Sequence, residues 1–384
     1  MGGISDNTFG GGTPKTSEKK YWNGTIPWIQ SSDLTINNLF LKKTKKFITE
    51  NAISESATKV VPAQSIAVVT RVGVGKLALI PFTYTTSQDF LSFSNLNIDK
   101  YFAVYNMYAL LKKISQNLQG TSIKGVTKSD LLDKKIYVSN FIEEQQAIGS
   151  LFKKIDNLIV LQQRKIDTLK LLKKALLQQV FPEKRKDIPK VRFANFNETY
   201  QQRKLKELLI KNSKKNKDLS ISNVESVSNK AGFIKQTEQF ENYSVASSNL
   251  SNYYVITPKQ FAYNPSRINV GSIAYKKEKD DISVVSPLYV SFSTKNTIID
   301  DNYLWFWFKT GDFERQRQKY SEGGVRDTLS FNQLSEMKLM LPNIKEQKLF
   351  GEFVKKSEYH LKLIEQKFNG LKTIKKVLLQ KMFI

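Results

Sequence analysis

The stretch Ile142 to Phe181 returns 202 positions later as Ile344 to Phe383. Glu144-Gln145, Gly149, Lys153-Lys154, Leu161, Lys165, Leu169-Lys170, Lys173-Lys174, Leu176-Leu177-Gln178 and Phe181 recur as Glu346-Gln347, Gly351, Lys355-Lys356, Leu363, Lys367, Leu371-Lys372, Lys375-Lys376, Leu378-Leu379-Gln380 and Phe383. Solenoid units are far shorter, roughly 20 to 50 residues. The chain is therefore two copies of one module, each a globular portion followed by a long helix.

Inside the repeat, apolar residues follow one another at steps of three or four. The first copy has Ile148, Phe152, Ile155, Ile159, Ile166, Leu169, Leu172, Leu176 and Val180; the second has Phe350, Val354, Leu361, Ile364, Phe368, Leu371, Ile374, Leu378 and Met382. This heptad-like spacing predicts helices that pair along a seam. Each run of about 38 residues makes a rod of about 57 Å, longer than one small core needs, so the natural partner of each is the other copy. The sequence alone leaves the direction of pairing open; antiparallel pairing would place the two globular modules at opposite ends. Gln162 and Ser357 interrupt the stripes, either as register-setting polar residues or as stripe-edge positions touching water. Pro182 ends the first helix, and Gly370 weakens the second by roughly 1 kcal/mol relative to alanine.

The 384 residues, 40% hydrophobic, suffice for two or three domains with real cores. With no cysteine there is no disulfide framework and no thiolate-bound zinc. No apolar run of about 18 residues exists, and Met1-Gly2-Gly3-Ile4-Ser5-Asp6 lacks a secretory pattern. A soluble cytoplasmic protein is expected. Sixty Lys and Arg against thirty-five Asp and Glu give a net charge of +25, the electrostatic footprint of a nucleic-acid binder. A membrane surface is the poorer partner, because the apolar stripes here are helix-pairing seams.

The globular portions read as mixed structure. Strands are expected at Ser65–Thr70, Leu77–Ile80, Gly271–Tyr275, Ile282–Ser286 and Leu288–Phe292, where apolar runs are bounded by glycine or proline. Tyr303 to Phe308 passes for a strand on propensity, yet it stands 202 positions after Tyr101 to Asn106, which opens a helix running to Lys113; both are assigned as helices. The charged, proline-punctuated stretch Glu183 to Lys190 separates the copies. The expected layout is a first globular domain at 1–140, a first spacer helix at 141–182, a linker and second globular domain at 183–342, and a second spacer helix at 343–384.

Catalytic chemistry is nearly absent. The one histidine, His360, occupies an ordinary helix position where the first copy has Leu158. Thr70 to Leu77 glances at a phosphate loop, but Thr70 stands where its first glycine belongs and Leu77 where a magnesium-binding hydroxyl belongs. Tyr263-Asn264-Pro265-Ser266 begins like the adenine-holding loop of amino-methyltransferases, without its second proline and aromatic residue, and reads better as a turn. Catalytic residues, metal and cofactor are all expected to be absent.

What the modules offer is loops mixing basic, hydroxyl, amide and aromatic side chains, able to reach phosphates and base edges. In the first module the candidates are Thr13, Lys15, Lys19, Lys20, Tyr21, Trp22, Ser31, Ser32, Arg71 and Lys76. In the second they are Lys230, Lys235, Tyr263, Asn264, Arg267, Lys276, Lys277 and, in the loop around Gly323-Gly324, Arg326. An ordinary solvated loop is the competing reading for each alone. Together they point to double-stranded DNA.

Gly11-Gly12-Thr13-Pro14-Lys15-Thr16, then Tyr21-Trp22, Ile26-Pro27-Trp28-Ile29 and Asp33-Leu34, resemble the opening of a target-recognition domain in specificity subunits of type I restriction-modification systems. Val285-Ser286-Pro287 with Tyr289-Val290, the Gly323-Gly324 loop, and Leu341-Pro342-Asn343-Ile344-Lys345-Glu346-Gln347 entering the last helix are similar too. The resemblance covers nearly the whole chain and rests more on the arrangement than on any single motif. It implies an α+β fold in which two target-recognition domains are separated by two long antiparallel coiled-coil helices, a pseudo-twofold internal repeat. It also implies a non-catalytic DNA-reading subunit that scaffolds two methyltransferase subunits and is joined by restriction subunits. The alternative is a coiled-coil scaffold with non-specific DNA binding. One departure stands out: Tyr200-Gln201-Gln202-Arg203-Lys204-Leu205 leads into the second module, whereas the first opens almost at once at Asn7-Thr8-Phe9-Gly10. Its first strand is expected to be shortened or missing.

Overall fold

The repeated residues are the ones that fasten each long helix to its module. The computed structural model describes residues 1–71, 73–117, 125–183, 186–229, 231–239, 249–321 and 328–383. The first long helix, α4 (Ile142–Val180), and the second, α10 (Ile344–Met382), are 39 residues each. Near the start of α4 the Gln145 amide accepts from the Asp99 backbone N–H at 2.8 Å and donates to the Ser139 carbonyl at 2.8 Å. Gln347 of α10 repeats the arrangement with Asp300 (2.9 Å) and the Pro342 carbonyl (2.9 Å). Asp99 and Asp300 each cap a helix, accepting from the N–H groups of Tyr101 and Phe102 and of Asn302 and Tyr303 respectively. A Cβ on Gly149 would stand 2.6 Å from the Phe102 nitrogen, and one on Gly351 3.0 Å from the Asn302 Cβ. Close passage of the capped helix thus requires a small residue there in both copies. The long helices repeat at 202 positions but the capped helices at 201, so the alignment of Tyr101 with Tyr303 slips by one residue while both segments are helical, as expected.

Contacts divide the chain into two compact units, Met1–Lys165 with Ile364–Ile384, and Ile166–Leu363. The division falls inside both long helices, so each unit holds one stretch of α4 and one of α10.

In unit 1 the elements run β1 (Ser5–Gly10), β2 (Trp22–Ile29), β3 (Lys46–Ile48), α1 (Glu50–Ser54), β4 (Ser65–Val69), β5 (Leu77–Ile80), β6 (Thr85–Thr86), β7 (Phe90–Leu96), α2 (Lys100–Asn117) and α3 (Lys128–Leu132). They form a sheet in the order β1-β7-β4-β5 and a small sheet β3-β2-β6. The apolar runs of β4 and β5 do not alternate because both faces are covered. Ile66, Val68, Leu77 and Leu79 meet Phe102 and Tyr105 of α2, Phe152 of α4 and Phe383. Ala67, Val69, Ala78 and Ile80 meet Ile29, Leu34 and Tyr84. β1 pairs with β7 from Ser5↔Leu96 to Gly10↔Leu91, whereas the lead-in strand that the other copy forms at Gln201–Lys204 has no paired counterpart among the described residues of this unit.

Unit 2 runs β8 (Gln201–Lys204), α5 (Leu205–Leu208), β9 (Leu209–Lys211), β10 (Glu225–Ser228), β11 (Gly232–Lys235), α6 (Gln236–Gln239), β12 (Tyr254–Ile256), β13 (Phe261–Tyr263), β14 (Ile273–Tyr275), β15 (Ser283–Val285), β16 (Val290–Thr294), α7 (Asp301–Trp307), α8 (Gly311–Ser321), α9 (Phe331–Glu336) and β17 (Lys338–Leu341). Its main sheet, β14-β13-β16-β9, has the connectivity of β5-β4-β7-β1. The core gathers Phe261, Tyr263, Phe292, Tyr303, Trp307, Phe350 and Phe181.

Within each unit the two helix stretches run antiparallel. In unit 1 Phe152 meets Phe383 with ring centroids 5.4 Å apart and Asp156 pairs with Lys375 at 2.5 Å. In unit 2 Phe181 meets Phe350 at 5.9 Å and Lys173 pairs with Glu358. Adding 202 to Asp156 gives Glu358, and adding it to Lys173 gives Lys375, so the two ion pairs are one interaction made twice. This pairing corrects the expected seam. Leu172 and Ile374 are 53% and 51% exposed, because the next residue on each helix, Lys173 or Lys375, turns inward to reach its carboxylate. Ser357 bonds back to the Phe353 carbonyl of its own helix at 2.9 Å.

Candidate nucleic-acid interface

In unit 1 the loop after β1 threads a gap that only glycine fits. A Cβ on Gly11 would lie 1.8 Å from the Ser87 carbonyl oxygen, and one on Gly12 2.5 Å from the Ala57 carbonyl carbon. The Gly12 carbonyl accepts from the Trp28 indole at 3.1 Å and the Thr58 hydroxyl at 3.2 Å. This placement fixes Thr13, whose hydroxyl donates to Gln88. Trp22 packs edge-on against Trp28 at 5.1 Å, and the Lys46 ammonium lies over both rings. Lys15 pairs with Glu18 at 3.1 Å, Lys19 is exposed, and the Ser32 hydroxyl accepts from the Gln30 amide at 2.8 Å.

The β4–β5 turn is the second element of this face. Gly73 and Gly75 take φ of 96° and 98°, a region side chains disfavour. The turn is braced from two sides: the Thr70 N–H donates to the Asp89 carbonyl at 2.7 Å, and the Thr70 carbonyl accepts from the Val126 N–H at 2.8 Å. Arg71 projects from it, exposed. A groove of about 780 Å³ runs beside it, lined by Gly10, Thr70, Arg71, Gln88, Thr127 and Lys128 among others. Lys76 crosses the turn and donates to the Ser31 carbonyl at 3.1 Å, so it braces two loops.

Unit 2 repeats the turn with different chemistry. Between β13 and β14 the Asn264 side chain accepts from the Ser266 N–H at 3.0 Å and caps a short 3-10 helix, Pro265–Val270. The Pro265 carbonyl accepts from the Leu329 N–H at 3.2 Å, the place Thr70 and Val126 hold in unit 1. Arg267 is exposed on this turn as Arg71 is on the other. The segment that resembled an adenine-holding loop is therefore a capped turn.

Several candidates are otherwise engaged. Tyr263 is fully buried with its hydroxyl on the Leu329 carbonyl at 3.0 Å; it is a core residue because β13 is a central strand. Lys276 is also fully buried, paired with Glu225 at 2.5 Å and Ser283 at 2.9 Å. Its position at the end of β14 turns it inward, while Lys277 beside it is exposed. Tyr21 is buried with its hydroxyl on Glu55 at 2.8 Å, and Lys20 holds the same carboxylate at 2.5 Å. Those two hydrogen bonds, Lys20's first, hold the Glu55 carboxyl below its usual range, and the bond to Glu55 raises Lys20. Lys235 is exposed at the end of β11. Lys230 and Arg326 lie outside the described residues. Sequence reasoning passed over Gln88, Lys128 and Lys46, which nothing in their local pattern marks. It also passed over Lys214, Lys215 and Lys217, exposed in the loop after β9, where a basic run was visible.

Among the described residues no cluster of histidine and carboxylates suits a metal. None of their helices is long and apolar enough to cross a membrane.

The family model of the type I restriction modification DNA specificity domain matches the chain twice, over residues 2–171 and 197–373. The chain belongs to that family. Each of its two matches takes in one globular portion and most of the repeated helix that follows it. The specificity subunit of the Escherichia coli EcoR124I/EcoR124II type I restriction enzyme is 34% identical over 163 residues, 39% of this chain and 38% of that protein. The MjaIX specificity subunit of Methanocaldococcus jannaschii is 31% identical over 157 residues, 39% of this chain and 35% of that protein. The chain thus spans little more than a third of the curated relatives it matches. In fold it is similar to the crystal structure of a type I restriction-modification S subunit from M. genitalium, with a TM-score of 0.56 at 15% identity, covering 98% of this chain and 93% of that one. A TM-score of 0.50 at 14% identity relates it to the specificity subunit of Thermoanaerobacter tengcongensis, covering 99% of this chain and 94% of that one.

Proposed function

We propose that this protein is the DNA-reading subunit of a type I restriction-modification complex, without catalysis of its own, and that each unit reads one half of a split target in double-stranded DNA. The observation that carries this reading is the duplicated turn: Arg71 and Arg267 stand exposed on equivalent hairpin tips, each tied by one backbone bond to the segment before α3 or α9. Gln88 and Lys128 line the groove beside the first tip, with Thr13 on Gln88; Lys15 and Lys19 add exposed charge to the same unit, and Lys214, Lys215, Lys217, Lys235 and Lys277 serve the second unit. Arginine at such a tip suits bidentate contact to guanine or a phosphate, and the charge of +25 supplies phosphate affinity.

In this reading α4 and α10 form an antiparallel coiled coil that spaces the two readers, so that half-sites lie about one helical turn, roughly 34 Å, or a multiple of it apart. Methyltransferase subunits, two by the symmetry of the repeat, cover apolar side chains that the helix pairing leaves open. These include Leu158, Val160 and Leu161 on α4, 46%, 49% and 58% exposed. Restriction subunits join through them, in the cytoplasm where the DNA is.

The test is to express the chain with a methyltransferase partner and map the methylated sites by sequencing. Replacing residues 1–140 by the matching module of a relative is expected to change one half of the site and leave the other intact. Simultaneous change of both halves overturns independent reading. Leu169→Pro removes a backbone hydrogen bond inside α4 and costs about 3 kcal/mol or more. It is expected to abolish assembly with the methyltransferase by size measurement, and normal assembly would show that the helix is not the scaffold.

A further inference from the structure

Unit 1 gathers lysines around a concavity that offers them no free carboxylate. The concavity has a volume of about 500 Å³ and lies between Asn37, α2, α4 and the later part of α10. Ligand pockets commonly run to roughly 300 to 1,000 Å³. Asp156 is the one carboxylate among the described residues lining it. Its charge is already spent, since the Tyr105 hydroxyl donates to it at 2.7 Å and the Lys375 ammonium lies 2.5 Å away.

Three further lysines line the same concavity, Lys112 from α2 and Lys372 and Lys376 from α10. None of the three makes an ion pair among the described contacts. Lys372 and Lys376 stand four apart on one helix, a spacing at which like charges repel, and Lys112 adds a third charge from another element. Bringing them together does nothing for the fold, whereas an anion between them relieves the repulsion. Gln163 also lines the concavity, where the second copy of the repeat has Glu365, so the first copy carries an amide at the place of a carboxylate. The Asn37 side-chain oxygen accepts from the Tyr108 hydroxyl at 3.1 Å, which leaves the Asn37 NH2 as a further donor. The remaining wall is apolar, with Ile159, Val160, Phe368 and Leu379, and the Lys372 ammonium lies 5.1 Å from the Phe368 ring centre.

We infer that this concavity is a binding site for a free nucleotide, its phosphates held by Lys112, Lys372 and Lys376 and its ring laid against Phe368 and Val160. Lysine holds phosphate as a compact point charge with three donors. Three lysines beside an apolar wall suit a ligand that is anionic at one end and flat at the other, which inorganic phosphate is not. The concavity shares no lining residue with the groove beside Arg71, so the inference stands apart from the proposed DNA reading.

The experiment titrates the full chain with ADP by calorimetry at about 0.15 M salt, where loosely held charge is screened. Saturable binding of one equivalent with a Kd below about 1 mM is expected. Lys112→Gln, Lys372→Gln and Lys376→Gln are each expected to weaken it at least about fivefold. Lys174→Gln, at the counterpart of Lys376 in the second copy, removes the same charge and is expected to leave the Kd within about twofold. Inorganic pyrophosphate is expected to bind at least about fivefold more weakly than ADP, because it leaves the apolar wall uncovered. Circular dichroism confirms that the variants remain folded. Absence of saturation overturns the inference, as does an equal loss in Lys174→Gln or pyrophosphate binding as tight as that of ADP. Displacement of ADP by a short DNA duplex, with each lysine variant weakening the duplex as much as ADP, assigns the lysines to the DNA backbone and equally overturns it.

Discussion

The two units agree where they hold the long helices and disagree where they face outward. Gln145 and Gln347, Asp99 and Asp300, Gly149 and Gly351, Phe383 and Phe181, and the two ion pairs are the same contacts made twice. By contrast unit 1 hangs a three-stranded sheet with paired tryptophans on its main sheet, and unit 2 hangs two hairpin-like pairs, β10–β11 and β12–β15. A shared frame constrains residues through backbone distances that tolerate little change. A surface turned away from that frame carries no such constraint, and under the proposed reading two half-sites of different sequence would require two different surfaces.

The sharpest break of this comparison is expected at Gly11. Its missing Cβ would lie 1.8 Å from a carbonyl oxygen, whereas one on Gly10 meets nothing within 4 Å. Gly11→Ala is expected to cost unit 1 more than about 3 kcal/mol, since backbone must move, and Gly10→Ala well under about 1. The four tryptophans divide evenly, Trp22 and Trp28 in unit 1, Trp305 and Trp307 in unit 2. Replacing one pair by phenylalanine makes fluorescence a reporter of the other unit. Equal melting of the Gly10 and Gly11 variants would refute the threading account.

Next in size is the lead-in, where Arg192 holds the Glu346 carboxylate at 2.9 Å. Arg192→Ala leaves the buried Glu346 carboxylate uncompensated and is expected to destabilise unit 2 by about 3 to 5 kcal/mol. Glu144→Ala at the equivalent place in unit 1 should change stability by less than about 0.5 kcal/mol. Denaturant unfolding of both variants measures the asymmetry, and comparable losses would mean that Glu144 has a partner of its own within the chain.

The helix–helix ion pairs should differ more modestly. Lys375 and Asp156 are 11% and 17% exposed, against 26% and 42% for Lys173 and Glu358, and Lys375 also lies 5.5 Å from the ring centres of Tyr105 and Tyr108. Lys375→Ala is expected to cost about 1 to 2 kcal/mol and Lys173→Ala less than about 1. Raising salt should widen the gap slightly, because the more exposed Lys173–Glu358 pair is the more screened. Melting at low and high salt decides it.

Much of the frame was legible in the sequence because repeated residues mark repeated contacts. The helix assignment for Tyr303–Phe308 came from the repeat and against strand propensity, and α7 occupies that place. The seam was less legible: Leu172 and Ile374 fit the apolar spacing, but an ion pair draws the neighbouring lysine inward, and spacing carries no information about such a pair. The proposed reading face was legible only as composition. Tyr263 and Lys276 have the residue types of a DNA contact, yet their strand positions send them into the core. Gln88 and Lys128 reach the groove through tertiary packing alone, which no local pattern records.

The smallest effect is the one that bears most directly on reading. If Arg71 and Arg267 each neutralise one phosphate, log affinity for DNA falls linearly with log salt, and each Arg→Ala change makes that slope shallower by about 0.9. The double variant should lose about 1.8, since separate turns have no shared partner through which to couple. Lys19→Ala, on an exposed side chain without an ion pair among the described contacts, is expected to act in the same way if the loop after β1 follows the backbone. Lys276→Met removes a buried charge and should leave the slope untouched while lowering stability, because Glu225 loses its partner. An arginine that reads a base instead leaves a different signature: affinity falls for the cognate half-site by about 1 to 3 kcal/mol while non-cognate binding barely changes. Titrations of the variants on methylation-mapped and scrambled duplexes at several salt concentrations separate the two roles. If neither arginine alters slope or specificity, the two turns are part of the shared frame and the reading surface must be sought on the sheets that differ between the units.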